Sequence, residues 1–323
     1  MIISRTPFRI SFAGGGTDLA EFYKKSSGAV VSTAIDKYMY VTVNKYFDDS
    51  IILKYSKTEL VKKVDDIKHP ILRECLKLTG LTRGVEVTSM ADVVGGTGLG
   101  SSSSFTVGVL HALHAYKGEY VGAEQLAAEA CRIEIGRLGE PIGKQDQYIA
   151  AYGGFRHIEF MPDEHVRVDP LIFPAGAQAK LLDRLVLLYT GVTRKASPLL
   201  RRFRAKFTAK ADALAGMREL AERSRRALER GDVDALGEIL HEGWTLKKSV
   251  AGGVSNPAID RAYDVALKAG ASGGKILGAG GGGFLLLFCK PGKKAAVVAS
   301  LKGWRQIPFR FEQEGSKIVY VSG

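Results

Sequence analysis

The pattern of apolar and polar positions predicts helices and strands that alternate along the whole chain. Polar and apolar residues alternate over 38–46, as expected of a strand with one buried face. The apolar run at 185–189 lies inside a strand expected at 183–190 and predicts that this strand is fully buried. Apolar residues recur every three to four positions over 104–116 and 122–137, which predicts amphipathic helices. The sequence therefore predicts an α+β fold. Further strands are expected at 2–13, 29–35, 51–55, 85–90, 155–160, 285–289, 306–312 and 316–322, and further helices at 58–80, 208–230, 232–250, 256–269 and 292–302.

A stretch rich in glycine and serine, 95–104, directly precedes one of the predicted helices. Glycine lets a ligand approach the backbone closely, and a helix that begins within the serines directs free N–H groups and the positive end of its dipole at one point. Such a turn binds anions, and phosphate is the usual one. A flexible linker is the alternative, but such linkers rarely run straight into an apolar helix. The spacing fits neither a Walker A loop, which needs Gly-Lys-Ser/Thr, nor a dinucleotide-binding fingerprint.

Three charged residues are candidate site residues from their sequence context. Asp18 follows the glycines at 14–16 and is expected in the first turn of a short helix. This position suits a simple turn cap and the binding of polyol hydroxyl groups equally well. Arg9 lies in an otherwise apolar segment, so we expect it to be paired or to face a ligand. Asp146 lies early in a short apolar helix beside Lys144, either as a helix cap or as a buried carboxylate that accepts or orients a proton.

Two further stretches and one carboxylate complete the candidates. Glu134 is the second carboxylate near Asp146, although its position alone predicts an exposed helix charge. The segment 273–283 contains seven glycines before a buried strand, which indicates a close approach of its backbone to a ligand or to the first glycine loop. The run 194–210 is basic and contains no acid, so it is either a solvated helix face or a surface that receives a phosphate group.

Net charge and cysteine content narrow the classes of function. The chain has 46 Lys and Arg residues against 34 Asp and Glu residues, a formal net charge of +12. This balance suits a nucleic acid, a membrane surface or a phosphorylated small substrate, or it serves solubility alone. The three cysteines are isolated, which indicates neither a zinc site nor a disulfide framework and favours the reducing cytoplasm. Because the sequence has no signal-peptide core, no membrane-spanning apolar run and no nucleic-acid-binding motif, we expect neither a membrane nor a nucleic-acid partner.

The length of the chain suggests two domains. A polar connector punctuated by prolines, 161–178, is the candidate boundary between them. We therefore predict an N-terminal domain at 1–170 and a C-terminal domain at 171–323. The two glycine-rich loops lie in different predicted domains, so a common site requires a cleft between the domains.

Three motifs, 9–18, 96–102 and 278–283, occur in the order in which similar motifs occur in the GHMP kinases. The chain resembles this superfamily, which comprises galactokinase, homoserine kinase, mevalonate kinase and phosphomevalonate kinase, over essentially its whole length. The resemblance implies a two-domain GHMP-kinase-like fold with a ribosomal-S5-domain-2-like N-terminal domain and a ferredoxin-like C-terminal domain. It also implies an active site in the cleft between them, with ATP and Mg²⁺ as cofactors.

Within the superfamily, the stretches 5–11, 13–19, 143–154, 190–197 and 275–278 are similar to the sugar 1-kinases that act on D-glycero-D-manno-heptose 7-phosphate. This similarity implies transfer of a phosphoryl group from ATP to the anomeric hydroxyl of a sugar phosphate, which gives a 1,7-bisphosphate for nucleotide-activated heptose and surface polysaccharide. Galactose, fucose, a uronic acid, mevalonate and homoserine are alternative acceptors, and a non-catalytic nucleic-acid-binding protein is the alternative class. We expect a cytoplasmic enzyme, and a homodimer is left open.

The resemblance also implies roles for single residues. Ser102 matches the serine that binds Mg²⁺, and Glu134 matches the carboxylate that completes that site. Asp146 matches the catalytic aspartate, which Arg9 and Lys144 are expected to hold ionised. The implied ATP-binding residues are Gly96, Thr97, Gly98, Leu99, Gly100, Ser101, Ser102, Ser103 and Ser104. The implied substrate-binding residues are Arg9, Gly15, Gly16, Thr17, Asp18, Lys144, Asp146, Tyr152, Thr193, Arg194, Gly281 and Gly282, with Arg194 and the basic residues after it on the phosphate of the substrate.

Overall fold

The computed structural model describes residues 1–193, 211–250 and 252–322, which form two β-sheets with helices packed against them. The strands of the first sheet are β1 (Ile2–Ala13), β2 (Gly28–Lys45), β3 (Ile51–Lys54), β4 (Thr58–Val61), β5 (Val85–Ala91), β6 (Phe155–Phe160), β7 (Val166–Pro170), β12 (Phe311–Glu312) and β13 (Lys317–Val321). The order along its main path is β13-β1-β2-β5-β3-β4. Strand β2 has 18 residues and joins the two predicted strands at 29–35 and 38–46 into one. It pairs antiparallel with β1, β5, β6 and β12, and it therefore organises the sheet.

Helices α1 to α6 accompany this first sheet. They are α1 (Ala20–Tyr23), α2 (Pro70–Thr79), α3 (Ser101–Tyr116), α4 (Ala123–Cys131), α5 (Gln145–Tyr152) and α6 (Ala177–Arg184), and α4 continues into a π-helical turn at Arg132–Arg137. Helix α3 packs across β1 and β2 and buries Val107, Val109, Leu110 and Leu113 completely. Because α3 is fixed against the centre of the sheet, its N-terminus has a defined position for the glycine-rich loop before it.

The second sheet is antiparallel and has the order β11-β8-β10-β9. Its strands are β8 (Leu185–Tyr189), β9 (Ala271–Ile276), β10 (Phe284–Cys289) and β11 (Arg305–Gln306). The remaining helices are α7 (Ala211–Glu229), α8 (Ala235–Val250), α9 (Pro257–Ala269) and α10 (Lys294–Ser300). Helix α7 packs against α8 and against β1 and β2 of the first sheet. Every residue of β10 is buried, as the apolar pattern predicts. The α+β class with two structural units is confirmed.

The structure corrects the sequence prediction in three segments. The helix predicted at 58–80 is wrong in its first part, where β4 and a 3₁₀ turn at Val64–Asp66 precede α2. Pro70 occupies the first position of α2 and therefore sets its start. The polar connector 161–178 contains β7, which pairs with β6. Asp18 precedes α1 and does not lie within its first turn, contrary to the prediction.

The last strands of the chain return to the first sheet. Strand β12 pairs with β2, and β13 pairs with β1, so the segment 311–321 joins the N-terminal unit in space. The division into two domains at residue 170 stays a prediction. Because β12 and β13 belong to the first sheet, the chain passes from the second sheet back to the first before it ends. Among the described residues, none of the helices combines the length and the apolarity that crossing a membrane requires.

Candidate active site

A cavity of about 610 Å³ lies where the glycine-rich loops of both sequence halves meet, and its volume is typical of a small-molecule site. Its wall includes residues from β1, from the starts of α3 and α5, and from the loop that follows β9. The predicted site residues that it contains are Arg9, Gly15, Gly16, Asp18, Gly96, Gly98, Gly100, Ser101, Ser102, Ser103, Glu134, Asp146, Thr193 and Gly282. The three motifs, which are far apart in the sequence, therefore converge on one cleft.

The start of helix α3 faces this cavity. The helix begins at Ser101 with Gly100 at the N-cap position, and no side chain among the described residues caps its first turn. The first N–H groups of the helix are therefore available to a ligand, together with the positive end of the dipole. Ser101, Ser102 and Ser103 line the cavity at this point. This arrangement suits the phosphate groups of a nucleotide.

The two glycine-rich loops contact each other through their backbones. A Cβ atom on Gly98 would lie 2.5 Å from the carbonyl oxygen of Leu277, and one on Gly278 would lie 2.6 Å from the Cα atom of Gly98. The second loop was predicted to approach either a ligand or the first loop, and at these residues it approaches the first loop. Gly280 and Gly282 of the second loop also line the cavity.

Arg9 holds Asp146 through two parallel hydrogen bonds. Its Nε atom donates to Oδ1 and its Nη2 atom donates to Oδ2, each over 2.7 Å. The third nitrogen, Nη1, donates to the carbonyl oxygen of Gly98 over 2.5 Å. The Arg9 side chain is 4% exposed, whereas that of Asp146 is 23% exposed. The guanidinium group thus fixes the carboxylate and leaves part of it open to the cavity.

Lys144 does not accompany Asp146, which corrects the sequence prediction. Its Nζ atom forms a short ion pair with Glu164 and lies 4.8 Å from the ring centroid of Tyr23. Glu164 lies in the turn between β6 and β7 and has a positive φ of 73°. The position of the Lys144 side chain is therefore determined by its contact with that turn and not by its closeness to Asp146 in the sequence.

Asp18 is buried in the cavity wall and receives three hydrogen bonds. The N–H of Gly16 donates to Oδ1 over 2.8 Å, and the N–H and Nε2 of Gln145 donate to Oδ2 over 3.3 and 3.1 Å. Burial raises the pKa of this carboxyl group, these backbone hydrogen bonds oppose the rise, and the charge of Asp146 adds to it. A Cβ atom on Gly143 would lie 1.9 Å from Oδ2 of Asp18, so only glycine permits this approach.

Ser102 and Glu134 form a second polar pair. The serine Oγ donates to Oε1 of Glu134 over 2.7 Å, and Nε2 of Gln147 donates to Oε2 over 2.8 Å. Glu134 is 1% exposed, and burial raises its pKa to about 7 despite the hydrogen bonds from Ser102 and Gln147. The expectation of an exposed helix charge is therefore wrong. A hydroxyl oxygen beside a buried carboxylate is a hard oxygen donor set that fits Mg²⁺, and a cation there would compensate the buried charge.

Several predicted site residues lie behind the cavity wall, where they support it. Thr97, Leu99 and Ser104 of the first loop are buried. The carbonyl of Leu99 accepts the Arg9 N–H over 3.1 Å, and the Ser104 hydroxyl donates to the carbonyl of Pro7 over 2.8 Å. These three residues are not among those that line the cavity, and their role in binding ATP stays a prediction.

Three of the predicted substrate-binding residues also lie outside the wall of the cavity. The Thr17 hydroxyl accepts the N–H of Ala29 over 3.0 Å and belongs to the core. Tyr152 donates to Glu124 over 2.8 Å, and the N–H of Gly281 donates to the carbonyl of Val254 over 2.7 Å. Arg194 and the basic run 194–210 lie outside the described residues, so their role on the substrate phosphate stays a prediction.

The sequence interpretation missed two lysines in the cavity wall. Lys247 lies on α8, where no motif marks it, and Lys275 lies on β9, within a stretch that carried the resemblance but no assigned role. Both reach the site only because β9 and α8 pack beside β1 in the folded chain. The signal in the sequence is the position of Lys275, a charged residue between two glycines and the apolar residues Ile276 and Leu277.

Comparisons with known proteins give matches in both halves of the chain. The GHMP kinase N-terminal domain model matches residues 59–154, and the GHMP kinase C-terminal model matches residues 224–303. The chain is 33% identical to a D-glycero-alpha-D-manno-heptose 7-phosphate kinase of Campylobacter jejuni, and the match covers 98% of each chain.

Solved structures show the same architecture. The crystal structure of a D-glycero-D-manno-heptose 1-phosphate kinase from Bacteroides thetaiotaomicron superimposes with a TM-score of 0.83 at 26% identity and covers 100% of both chains. Lactococcus lactis galactokinase in complex with galactose superimposes with a TM-score of 0.76 at 18% identity over 98% of this chain and 94% of that one, a likeness of fold alone. With both family models matched in order and a 33% identical relative over nearly the full length, the chain belongs to the GHMP kinase family.

Proposed function

We propose that the protein transfers the γ-phosphoryl group of ATP to the anomeric hydroxyl of D-glycero-D-manno-heptose 7-phosphate and so forms the 1,7-bisphosphate. The observation that carries the proposal is the Arg9–Asp146 pair, which lies in the same cavity as the uncapped start of α3. A carboxylate open to a phosphate-binding cleft is what a phosphoryl transfer to a hydroxyl group requires. The similarity to the Campylobacter jejuni enzyme supports the choice of acceptor.

The ATP phosphates are proposed to bind along the first glycine loop and the first turn of α3. Ser102 and Glu134 would hold Mg²⁺, which neutralises charge on the phosphate groups when it is bound. The hydrogen bond from Gln147 orients the Glu134 carboxylate and satisfies its second oxygen. This support matters because a buried carboxylate without partners would be costly to ionise.

Asp146 is proposed to accept the proton of the anomeric hydroxyl group. Its carboxylate has one face bound to Arg9, and the side chain retains 23% exposure for the acceptor. An anomeric hydroxyl is more acidic than an ordinary alcohol, so a carboxylate is a sufficient base. General-base assistance of this kind contributes a factor of roughly 10²–10⁴ to the rate.

Asp18 is proposed to bind hydroxyl groups of the sugar. It lines the same cavity, and its three amide donors hold the carboxylate in one orientation. The glycines Gly15 and Gly16 beside it leave room for a ring to approach the backbone. The product would then enter nucleotide-activated heptose biosynthesis for surface polysaccharide.

The test is an acceptor comparison with purified protein, ATP and Mg²⁺. Heptose 7-phosphate, heptose 1-phosphate, galactose, fucose, glucuronic acid and mevalonate are each supplied, and ADP release is coupled to a spectroscopic readout. Phosphorus NMR then identifies the position of the new phosphate group. We expect the highest kcat/KM with heptose 7-phosphate and a new anomeric phosphate. A higher kcat/KM with an unphosphorylated sugar or with mevalonate would reject this acceptor, and binding of RNA without any ATP turnover would reject the kinase.

A further inference from the structure

Two lysines in the cavity wall take no part in the reaction as proposed. Lys275 is 8% exposed, and its Nζ atom donates to the carbonyl of Phe12 over 3.2 Å. The Nζ atom of Lys247 lies 3.5 Å from the carbonyl oxygen of Ile276 and also donates to that of Gly278. Among residues 1–193, 211–250 and 252–322, neither ammonium group has a carboxylate within ion-pair distance.

Three carboxylates of the cavity wall are already bound to other groups. Arg9 binds both oxygens of Asp146, and amide groups bind both oxygens of Asp18. Glu134 is bound to Ser102 and Gln147. Unpaired buried charges are costly, so proteins rarely keep them without a ligand that uses them. Two lysines without an acidic partner therefore indicate that the cavity receives an anionic group.

The position of Lys275 assigns that anion to the acceptor end of the cavity. Phe12, to which the lysine donates, lies on β1 directly before the turn that carries Gly15, Gly16 and Asp18. Three charged groups act on Lys275, namely the carboxylate of Asp18 and the cations of Lys247 and Arg9. The lysine thus stands beside the proposed sugar-binding carboxylate, whereas the proposed Mg²⁺ ligands belong to α3 and the π-helical turn.

We infer that Lys275, supported by Lys247, binds the phosphate group that the acceptor sugar already carries. The inference rests on the proposed function, because it concerns the acceptor side of the same cavity. A lysine ammonium group offers three N–H donors and a full charge, and a phosphate group offers several acceptor oxygens. Selection of a phosphorylated acceptor over the plain sugar follows, since the plain sugar would leave both charges unpaired.

Burial and neighbouring cations lower the pKa of both lysines. Burial and the charge of Arg9 lower the pKa of Lys247 to about 8. Burial, Lys247 and Arg9 lower the pKa of Lys275 well below its usual value, and Asp18 opposes this shift. A bound phosphate group would reverse these shifts, so binding above neutral pH should be accompanied by uptake of protons from the buffer.

Kinetics with two acceptors test the inference. Lys275→Met keeps much of the side-chain length and removes the charge, and it is assayed with heptose 7-phosphate and with the unphosphorylated heptose. We expect the KM for the phosphorylated acceptor to rise on the order of 10–100-fold, while kcat/KM for the plain heptose changes little, because one charge-assisted contact is lost. Lys275→Arg, which keeps the charge, should restore part of the lost affinity. An equal loss with both acceptors would overturn the inference, since the lysine would then serve the transferred phosphoryl group or the fold.

A matched control and a direct titration separate the two proposals. Lys248, adjacent to Lys247 on α8, is exposed and pairs with Asp260, so Lys248→Met should leave both KM values unchanged. The melting temperature of Lys275→Met should not fall, because a buried unpaired charge is removed.

If the wild-type protein phosphorylates neither heptose, the proposed function fails. The lysines are then tested by calorimetric titration with inorganic phosphate in the presence of ADP and Mg²⁺. Equal dissociation constants for wild type and Lys275→Met would overturn the inference, and weaker binding with lost proton uptake in the variant would support it.

Discussion

Arg9 and Asp146, 137 positions apart in the sequence, form a bidentate ion pair in which both N···O distances are 2.7 Å. The same guanidinium group binds the carbonyl of Gly98 in the glycine loop. One buried side chain therefore links the carboxylate that we propose as the base to the loop that we propose for ATP. Such a link fixes the distance between the two reactants, and positioning is the larger part of catalysis in phosphoryl transfer.

The first prediction is that Asp146→Asn removes the base and keeps the binding site. Asparagine is nearly isosteric, and its Oδ1 atom can still accept one of the two hydrogen bonds from Arg9. We expect kcat to fall by roughly 10²–10⁴, with dissociation constants for ATP and acceptor close to those of the wild type. Single-turnover kinetics and calorimetry measure the two effects separately. A kcat near that of the wild type would show that Asp146 only caps α5 and that chemistry depends on positioning and Mg²⁺.

The second prediction concerns the hydrogen bond between Ser102 and Glu134. Ser102→Ala removes one proposed Mg²⁺ ligand and leaves the helix intact, because alanine is a good helix former. We expect the Mg²⁺ concentration for half-maximal activity to rise about tenfold or more and kcat to fall. Ser101→Ala, a neighbour in the same first turn, is the matched control and should shift the Mg²⁺ titration far less. Identical Mg²⁺ titrations for Ser102→Ala and wild type would reject the ligand assignment.

The first glycine loop and α3 could be predicted from the sequence because their signal is local. A run of glycine and serine before an apolar helix describes a helix start, and α3 begins at Ser101 within that run. The prediction failed where a distant contact decides the outcome. Lys144 lies beside Asp146 in the sequence and pairs with Glu164 in space, and Lys247 reaches the cavity from a helix with no motif.

Glu134 shows a second reason for failure. A charged residue on a helix is usually exposed, but Glu134 lies in the π-helical turn at Arg132–Arg137, where Ser102 and Gln147 bind its two carboxylate oxygens and compensate its burial. Such turns have no reliable signal in a single sequence. The helix predicted at 58–80 is wrong in its first part because of a tertiary contact. Pairing of β4 with β3 overrides the helical pattern of these first residues.

The third prediction is a pH dependence of stability at His114. This residue is 6% exposed, and its ring nitrogens lie 2.8 Å from Glu129 and 2.7 Å from Glu119. The hydrogen bond to Glu129 raises the pKa of His114 most, burial opposes the rise, and Glu119 adds to it. Because the folded-state pKa lies above the unfolded value, the stabilisation is fully present below the unfolded pKa of about 6.5 and is lost as the pH rises through the folded pKa.

His114→Gln should therefore reduce the free energy of unfolding at about pH 5.5 and reduce it less at about pH 9. Urea denaturation at the two pH values measures the difference. His111→Gln is a useful comparison on the same helix, because burial lowers the pKa of His111 to about 4 and the residue stays uncharged over this range. A destabilisation by His114→Gln that is independent of pH would mean that packing, and not charge, is the role of the ring.

The last prediction uses two glycines with similar backbone angles and different surroundings. Gly98 has φ of 85° and Gly118 has φ of 77°, and alanine costs about 1–2 kcal/mol in this region of backbone conformation. Around Gly118 a Cβ atom would meet no atom of the described chain within 4 Å, whereas on Gly98 it would lie 2.5 Å from the Leu277 carbonyl oxygen. Gly118→Ala should lower the free energy of unfolding by that conformational cost alone. Gly98→Ala should lower it further, and should also raise the dissociation constant for ATP, because the clash forces the two glycine loops apart and moves the carbonyl that Arg9 binds. If both variants lost the same stability and bound ATP alike, the backbone contact between the loops would not determine the geometry of the nucleotide site.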